Sequence, residues 1–150
     1  MKEHFRVSSP EETEEVGFSL ARKLDEKGIN RAFVALFGEM GVGKTAFSRG
    51  FASYFGIRSV KSPTYTVLNE YRGRVKIHHF DFYRITDGDD LYSIGYDDVV
   101  EDEGYCLSEW SENIVDFIPD GAITVTISRV SSQHSEEENL RDIEIDYNGI

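Results

Sequence analysis

Apolar and polar positions along the 150 residues fall into segments of different period. Val16, Leu20, Ala21 and Leu24 recur at helical spacing and predict a first helix. Ser9-Pro10-Glu11-Glu12 marks its start, with Ser9 as cap, Pro10 at the first helical position and Glu12 where a capping-box acid belongs. Gly28 marks its end. Ahead of it, residues 4–7 read as a short strand. Residues 31–37 differ, because Ala32-Phe33-Val34-Ala35-Leu36-Phe37 is apolar without interruption. Such a run suits a strand buried on both faces of a parallel sheet. A glycine loop over 38–43 follows. Lys44 opens a second helix, in which Phe47, Phe51 and Phe55 recur four apart and which Gly56 ends.

After the loop Ser62-Pro63-Thr64, residues 65–71 and 74–82 predict two strands around an Arg72-Gly73-Arg74 turn. Residues 86–103 are polar and acidic and read as short helices. A short strand is expected over 105–109 and a short helix over 111–117. Ile123, Val125 and Ile127 alternate with Thr124, Thr126 and Ser128. Ile143, Ile145 and Tyr147 alternate with Asp142, Glu144 and Asp146. This predicts two half-exposed strands forming a C-terminal hairpin, with a polar link over 131–139. No internal repeat or interdomain linker interrupts the series, so residues 1–150 are expected to form one domain.

Composition narrows the class. Hydrophobic residues make up 39% and charged residues 29%, which is ordinary for a globular chain and unlike a disordered one. No apolar stretch approaches the ~18 residues of a membrane span. The N-terminus lacks the apolar core of a signal peptide. Cys106 is the single cysteine and has no intrachain disulfide partner. These features place the protein in the cytoplasm as an expectation. The net charge is −12 and is unevenly distributed. Residues 85–128 contain 12 acids and neither lysine nor arginine, whereas residues 44–84 carry 8 basic residues against 2 acids. The overall sign argues against binding a nucleic-acid duplex directly. It allows a phosphate-bearing ligand near the basic segment. The run Asp97-Asp98 to Glu101-Asp102-Glu103 is either a solvated face or a docking surface for a basic protein, and because the 85–128 segment also contains Glu109, acid density is expected beside the active site.

The chemistry lies in Gly38-Glu39-Met40-Gly41-Val42-Gly43-Lys44-Thr45, which matches G-x-x-x-x-G-K-[ST] between a buried strand and an amphipathic helix. Glycines let successive backbone N–H groups converge on phosphate oxygens, and the helix N-terminus adds its positive end. Lys44 is placed to reach the β- and γ-phosphates, and Thr45 to offer a hydroxyl to Mg²⁺. An N-K-x-D guanine signature is missing, so ATP is the expected nucleotide.

A P-loop enzyme needs acids near its metal. Asp81 and Glu109 close the fourth and fifth predicted strands and fall at the ligand edge if those strands run parallel to the P-loop strand. One would hold the Mg²⁺ shell and the other would orient or activate the attacking water. Thr64 is a candidate for the γ-phosphate, or part of a plain turn. Trp110 is either a core or lid aromatic or a stacking partner. Arg84 pairs with Asp81 or phosphate, or is simply solvated. His78 and His79 point to opposite faces of a strand, cannot share one metal, and read as structural. Cys106 reads as a buried strand residue.

Four segments in series resemble the bacterial TsaE (YjeE) family of P-loop ATPases: residues 38–45; Ser62-Pro63-Thr64-Tyr65-Thr66 with Asn69-Glu70-Tyr71; His79-Phe80-Asp81-Phe82-Tyr83-Arg84; and Glu109-Trp110. The resemblance spans nearly the whole chain. It implies a small ATPase of the pathway that makes N6-threonylcarbamoyladenosine in tRNA. Such a protein works with a transferase complex of TsaD and TsaB and meets tRNA only indirectly. ATP hydrolysis would reset or drive that complex. The resemblance also implies that Lys44 and Thr45 bind phosphate and Mg²⁺, that Asp81 and Glu109 are the metal-site and catalytic acids, and that Trp110 is the paired tryptophan. Phe82 stands where leucine is usual and Ser111 where proline is common.

The expected fold is α/β, a three-layer P-loop NTPase-like architecture with a mostly parallel sheet, antiparallel additions and a C-terminal hairpin. A small P-loop kinase and a nucleotide-dependent binding module are the rival functions. Small kinases usually hold the transferring phosphoryl with late lid arginines, and after residue 85 this chain has only Arg129 and Arg141.

Overall fold

The computed structural model describes residues 1–58, 60, 68–130 and 139–149; Thr64 lies outside them. Strands β1 (Lys2–Val7), β2 (Arg31–Phe37), β3 (Leu68–Arg72), β4 (Lys76–Asp81), β5 (Gly104–Glu109), β6 (Ile123–Arg129) and β7 (Arg141–Asp146) form one sheet in the order β1-β7-β6-β2-β5-β4-β3. The central strands β6, β2, β5 and β4 are mutually parallel. β3 joins β4, and the β7–β1 pair joins β6, antiparallel. Helices α1 (Pro10–Glu26) and α2 (Lys44–Tyr54) pack on one face, while α3 (Gly88–Ser93), α4 (Tyr96–Glu101) and a 3-10 helix (Ser111–Phe117) pack on the other. This is the expected three-layer α/β fold.

The central position of β2 follows from its sequence. Val34 and Leu36 enter a core with Leu20, Phe47 and Phe51, and Phe33 and Ala35 enter a second core with Phe80, Leu91 and Tyr96. A strand apolar on both faces is stable only between two layers. α1 starts where its cap signals place it. Ser9 Oγ accepts from the Glu12 N–H at 3.2 Å, while the Glu12 carboxylate accepts from the Ser8 hydroxyl at 2.8 Å. The helix ends at Gly28 (φ +73°), where the N–H groups of Gly28 and Ile29 return to the Asp25 and Leu24 carbonyls.

Gly17 and Gly50 set the approach of α1 to α2. A Cβ on Gly50 would stand 1.9 Å from the Glu14 carbonyl oxygen, and one on Gly17 would stand 2.2 Å from that of Phe47. Only a residue without a side chain fits at such separations, and this contact seats α2 on the sheet.

Several boundaries differ from the sequence pattern. β3 begins its described span at Leu68, and β4 is shorter than 74–82 because 73–75 form the turn, closed by the Gly73 N–H on the Val75 carbonyl at 3.0 Å. β6 and β7 form the predicted hairpin, but β6 also runs parallel to β2, and β7 is covered by β1, which begins at Lys2.

Parallel register aligns Ile77 with Tyr105, His79 with Leu107 and Asp81 with Glu109. Strand side chains alternate, so His79, Asp81 and Glu109 share the face that carries α2, while His78 and Cys106 lie on the other. Cys106 is buried, and burial pushes its thiol up to about 12.

Candidate nucleotide site

The loop over 38–43 leaves β2 and turns into α2. Gly41 (φ +74°) and Gly43 (φ +123°) hold conformations that L side chains rarely adopt. It borders a cleft of about 510 Å³ at the C-terminal edge of the parallel strands. Gly43, Lys44 and Thr45 form one wall, and Asp81, Glu109 and Trp110 form the other, with Met40 and Gly41 at the mouth. Glu39 turns away to Arg129 at 3.0 Å, and Val42 inserts into the core. Gly38 sits at the base of the loop. Its carbonyl accepts from Lys44 Nζ at 2.6 Å, and its N–H donates to Glu112 Oε2 at 2.9 Å.

Lys44 is 5% exposed. Burial pulls its pKa down, and the charges of Glu112, Glu109 and Asp81 push it back. Its ammonium stands 4.0 Å from the centroid of the Trp110 ring, a cation–π distance. Trp110 reaches that position from a left-handed backbone (φ 59°) and packs on Tyr83 at 4.9 Å. It is therefore a wall of the cleft.

Thr45 Oγ1 donates to Glu109 Oε1 at 3.0 Å, and His79 Nε2 donates to Glu109 Oε2 at 2.5 Å. Both oxygens of this buried carboxylate are thus held. Asp81 Oδ1 accepts from the Tyr83 N–H at 2.9 Å. Burial raises the Asp81 pKa, the Tyr83 amide offsets part of the rise, and the charge of Glu109 adds to it. Arg84 lines the cleft but does not pair with Asp81; among the described residues it forms no ion pair.

Two residues of this site are missed by the sequence reading. His79, read from sequence as structural, is in contact with Glu109 at the cleft. The signal is its position two residues before Asp81, on the same face of a strand. Glu112 faces the loop from the 3-10 helix three residues after Glu109, and no local pattern marks it.

The charge split along the sequence is rearranged in space. Lys76 Nζ bonds Asp102 at 2.9 Å, and Arg31, Arg72 and Arg74 border a surface hollow with Glu101 and Glu103. These groups lie at the N-terminal ends of β4 and β5. Glu109 is five strand residues further on, about 17 Å away at ~3.3 Å per residue. Acids 101–103 therefore lie away from the cleft, whereas Glu109 and Glu112 of the same 85–128 segment stand at the cleft and its loop. Part of the acidic run is matched by the basic segment itself.

A phosphate-loop sequence between the central parallel strand and its following helix, with two acids at the adjacent strand ends, defines a P-loop fold. The chain belongs to the TsaE family: the model of that family, "Threonylcarbamoyl adenosine biosynthesis protein TsaE", matches residues 7–139. It is similar to two proteins named tRNA threonylcarbamoyladenosine biosynthesis protein TsaE. The one from Treponema pallidum is 32% identical over 129 residues, covering 85% of this chain and 93% of that protein. The one from Bacillus subtilis is 34% identical over 134 residues, covering 88% and 81%. The crystal structure of Bacillus subtilis YdiB superposes with a TM-score of 0.71 at 27% identity, covering 97% of this chain and 84% of that one. No helix among the described residues is long and apolar enough to cross a membrane.

Proposed function

We propose that this protein is a Mg²⁺-dependent ATPase that supports the threonylcarbamoyl modification of adenosine in tRNA, acting with the TsaD–TsaB transferase complex. The observation that carries the reading is the convergence of Lys44, Thr45, Glu109 and Asp81 on one cleft, with Thr45 and Glu109 in direct contact. The loop amides and Lys44 would hold the phosphates. The donors at hand, a hydroxyl and two carboxylates, are all oxygens, which suits a hard divalent cation. Thr45 and Asp81 would hold Mg²⁺, with Glu109 beside them. Held there, such an ion would supply positive charge to offset that of the phosphates. Glu109, fixed through both oxygens, would orient water and take its proton as the water attacks the γ-phosphorus, the bond from phosphorus to the bridging oxygen breaking and ADP leaving with that oxygen. Adenine is preferred over guanine because the N-K-x-D signature is missing. Family membership and the pathway named by the relatives support the partner assignment.

The test is ATP titration by calorimetry paired with single-turnover hydrolysis. Lys44→Ala is expected to weaken ATP binding at least ~30-fold, the scale of a lost charge-assisted hydrogen bond. Glu109→Gln is expected to bind ATP within about threefold of wild type and to lose at least ~100-fold in rate, since a water-orienting group acts mainly in the transition state. Wild-type ATP affinity in Lys44→Ala would overturn the nucleotide assignment. Stoichiometric transfer of phosphate to an acceptor other than water would make the protein a kinase. Full support of the modification over many turnovers by a nonhydrolysable analogue would make it a binding module.

A further inference from the structure

Arg129 and Arg141 are register partners at the end of the β6–β7 hairpin, and both reach the phosphate loop from behind. Arg129 Nη2 donates to the Met40 carbonyl at 3.2 Å while Nη1 pairs with Glu39 at 3.0 Å. Arg141 Nε donates to the Val42 carbonyl at 3.2 Å. Neither arginine lines the cleft, whereas Gly41 and Gly43 do. β6 backs the loop closely: a Cβ on Gly38 would stand 2.5 Å from the Ile127 carbonyl oxygen, and one on Gly41 would stand 3.4 Å from Arg129 Nη2.

A trans peptide is planar, and its C=O and N–H point in opposite directions. A Met40 carbonyl turned out to Arg129 therefore sends the Gly41 N–H the other way, towards the cleft. The same holds for the Val42 carbonyl on Arg141 and the Gly43 N–H. Glycine loops are free to flip such peptide planes, so something must hold them.

We propose that Arg129 and Arg141 are positioning residues for nucleotide phosphate: they fix the 40–41 and 42–43 peptide planes so that two amide donors face the cleft. The proposal rests on the reading of the cleft as a nucleotide site. The sequence singles out both arginines only as the last two of the chain and not as neighbours of the loop, because hairpin and loop are about 90 residues apart along the chain.

The test is calorimetric titration of Mg-ATP into wild type, Arg129→Ala, Arg129→Lys and Arg141→Ala, with the single-turnover rate at saturating ATP and the melting temperature without ligand. Each alanine variant is expected to bind ATP about tenfold more weakly, with under twofold change in the saturated rate. A merely structural role would move the melting temperature and leave that split absent. Arg129→Lys retains a donor long enough for the Met40 carbonyl and is expected to recover binding to within about threefold. Glu39→Gln, which leaves the guanidinium in place without its anchor, is expected to lose about threefold and keeps the test open if the alanine variants fail to fold. ATP affinities within twofold of wild type throughout would overturn the clamp. A wild-type protein that binds no ATP would instead overturn the nucleotide reading.

Discussion

His79 Nε2 lies 2.5 Å from Glu109 Oε2, and both side chains are buried between the sheet and α2. The histidine comes from β4 and the acid from β5, so parallel strand register is what brings them together. Thr45 holds the other oxygen of the same carboxylate. Glu109 is therefore fixed from two sides before any nucleotide is considered.

That geometry makes His79 an orienting group for Glu109. His79→Ala is expected to lower the single-turnover hydrolysis rate about tenfold, within the range for partners that orient a functional side chain, and to leave ATP affinity within threefold. Calorimetry and rapid quench on the same preparation separate the two. Loss of binding with an unchanged saturated rate would show that His79 serves the fold of the loop instead.

Gly50 offers a test of how α2 is seated. A Cβ there meets the Glu14 carbonyl, which belongs to a helix backbone and cannot turn aside. Gly50→Ala is expected to destabilise the protein by about 3 kcal/mol, as overpacking does when the neighbour is rigid. Urea denaturation measures it, and Gly121→Ala, where a Cβ meets open space in a strained conformation (φ +80°), supplies a comparison without a clash.

Much of this architecture is legible in the sequence, and the reason differs by element. β2 matches the pattern to the residue because burial on both faces leaves a continuous apolar run. Asp81 and Glu109 are found because each closes a short apolar strand. Trp110 is found as a residue but not as the neighbour of Lys44, since that contact depends on a left-handed backbone. The arginines behind the loop and the match between Arg31, Arg72, Arg74, Lys76 and the acids at 101–103 depend on which strands lie side by side. Periodicity within a strand carries no information about that order.

The Lys76–Asp102 pair gives a pH prediction. The Lys76 ammonium holds the Asp102 carboxyl down at about 2, and Asp102 in turn raises the Lys76 pKa. A depressed acid contributes stability above its unfolded pKa of about 3.9, lost as pH falls towards the folded value. A raised lysine contributes stability below about 10.4, lost as pH rises past its folded value. Lys76→Met is therefore expected to melt below wild type between about pH 4 and 10, by about 2 °C for a solvent-screened pair. The gap should close at both ends. Melting curves from pH 1 to 11 check this, and a gap that persists at pH 1, below the folded value of Asp102, would assign the effect to the lysine stem.

Asp97, Asp98, Glu101 and Glu103 are exposed, and the segment 85–128 that carries them has no lysine or arginine. Asp102 is excluded from this set because it holds Lys76 and His78. Glu101 and Glu103 sit by the N-terminal ends of β4 and β5, the end opposite the cleft, and Asp98 borders a separate hollow with Leu68, Glu70 and His78, so none of these three lines the cleft. The run can still steer a basic partner, because charge acts over a Debye length and governs encounter more than the docked contact. If the TsaD–TsaB complex is the partner as proposed, neutralising these four residues to Asn or Gln is expected to slow association with it about fivefold at low salt, with the difference shrinking as salt rises. The proposed ATPase activity at saturating complex, and ATP binding by the isolated protein, should stay within twofold. Stopped-flow association and steady-state hydrolysis measure the two arms. An unchanged association rate at low salt would reduce the run to a solvated face, and a fall in the maximal rate would place the partner contact nearer the cleft than this geometry allows.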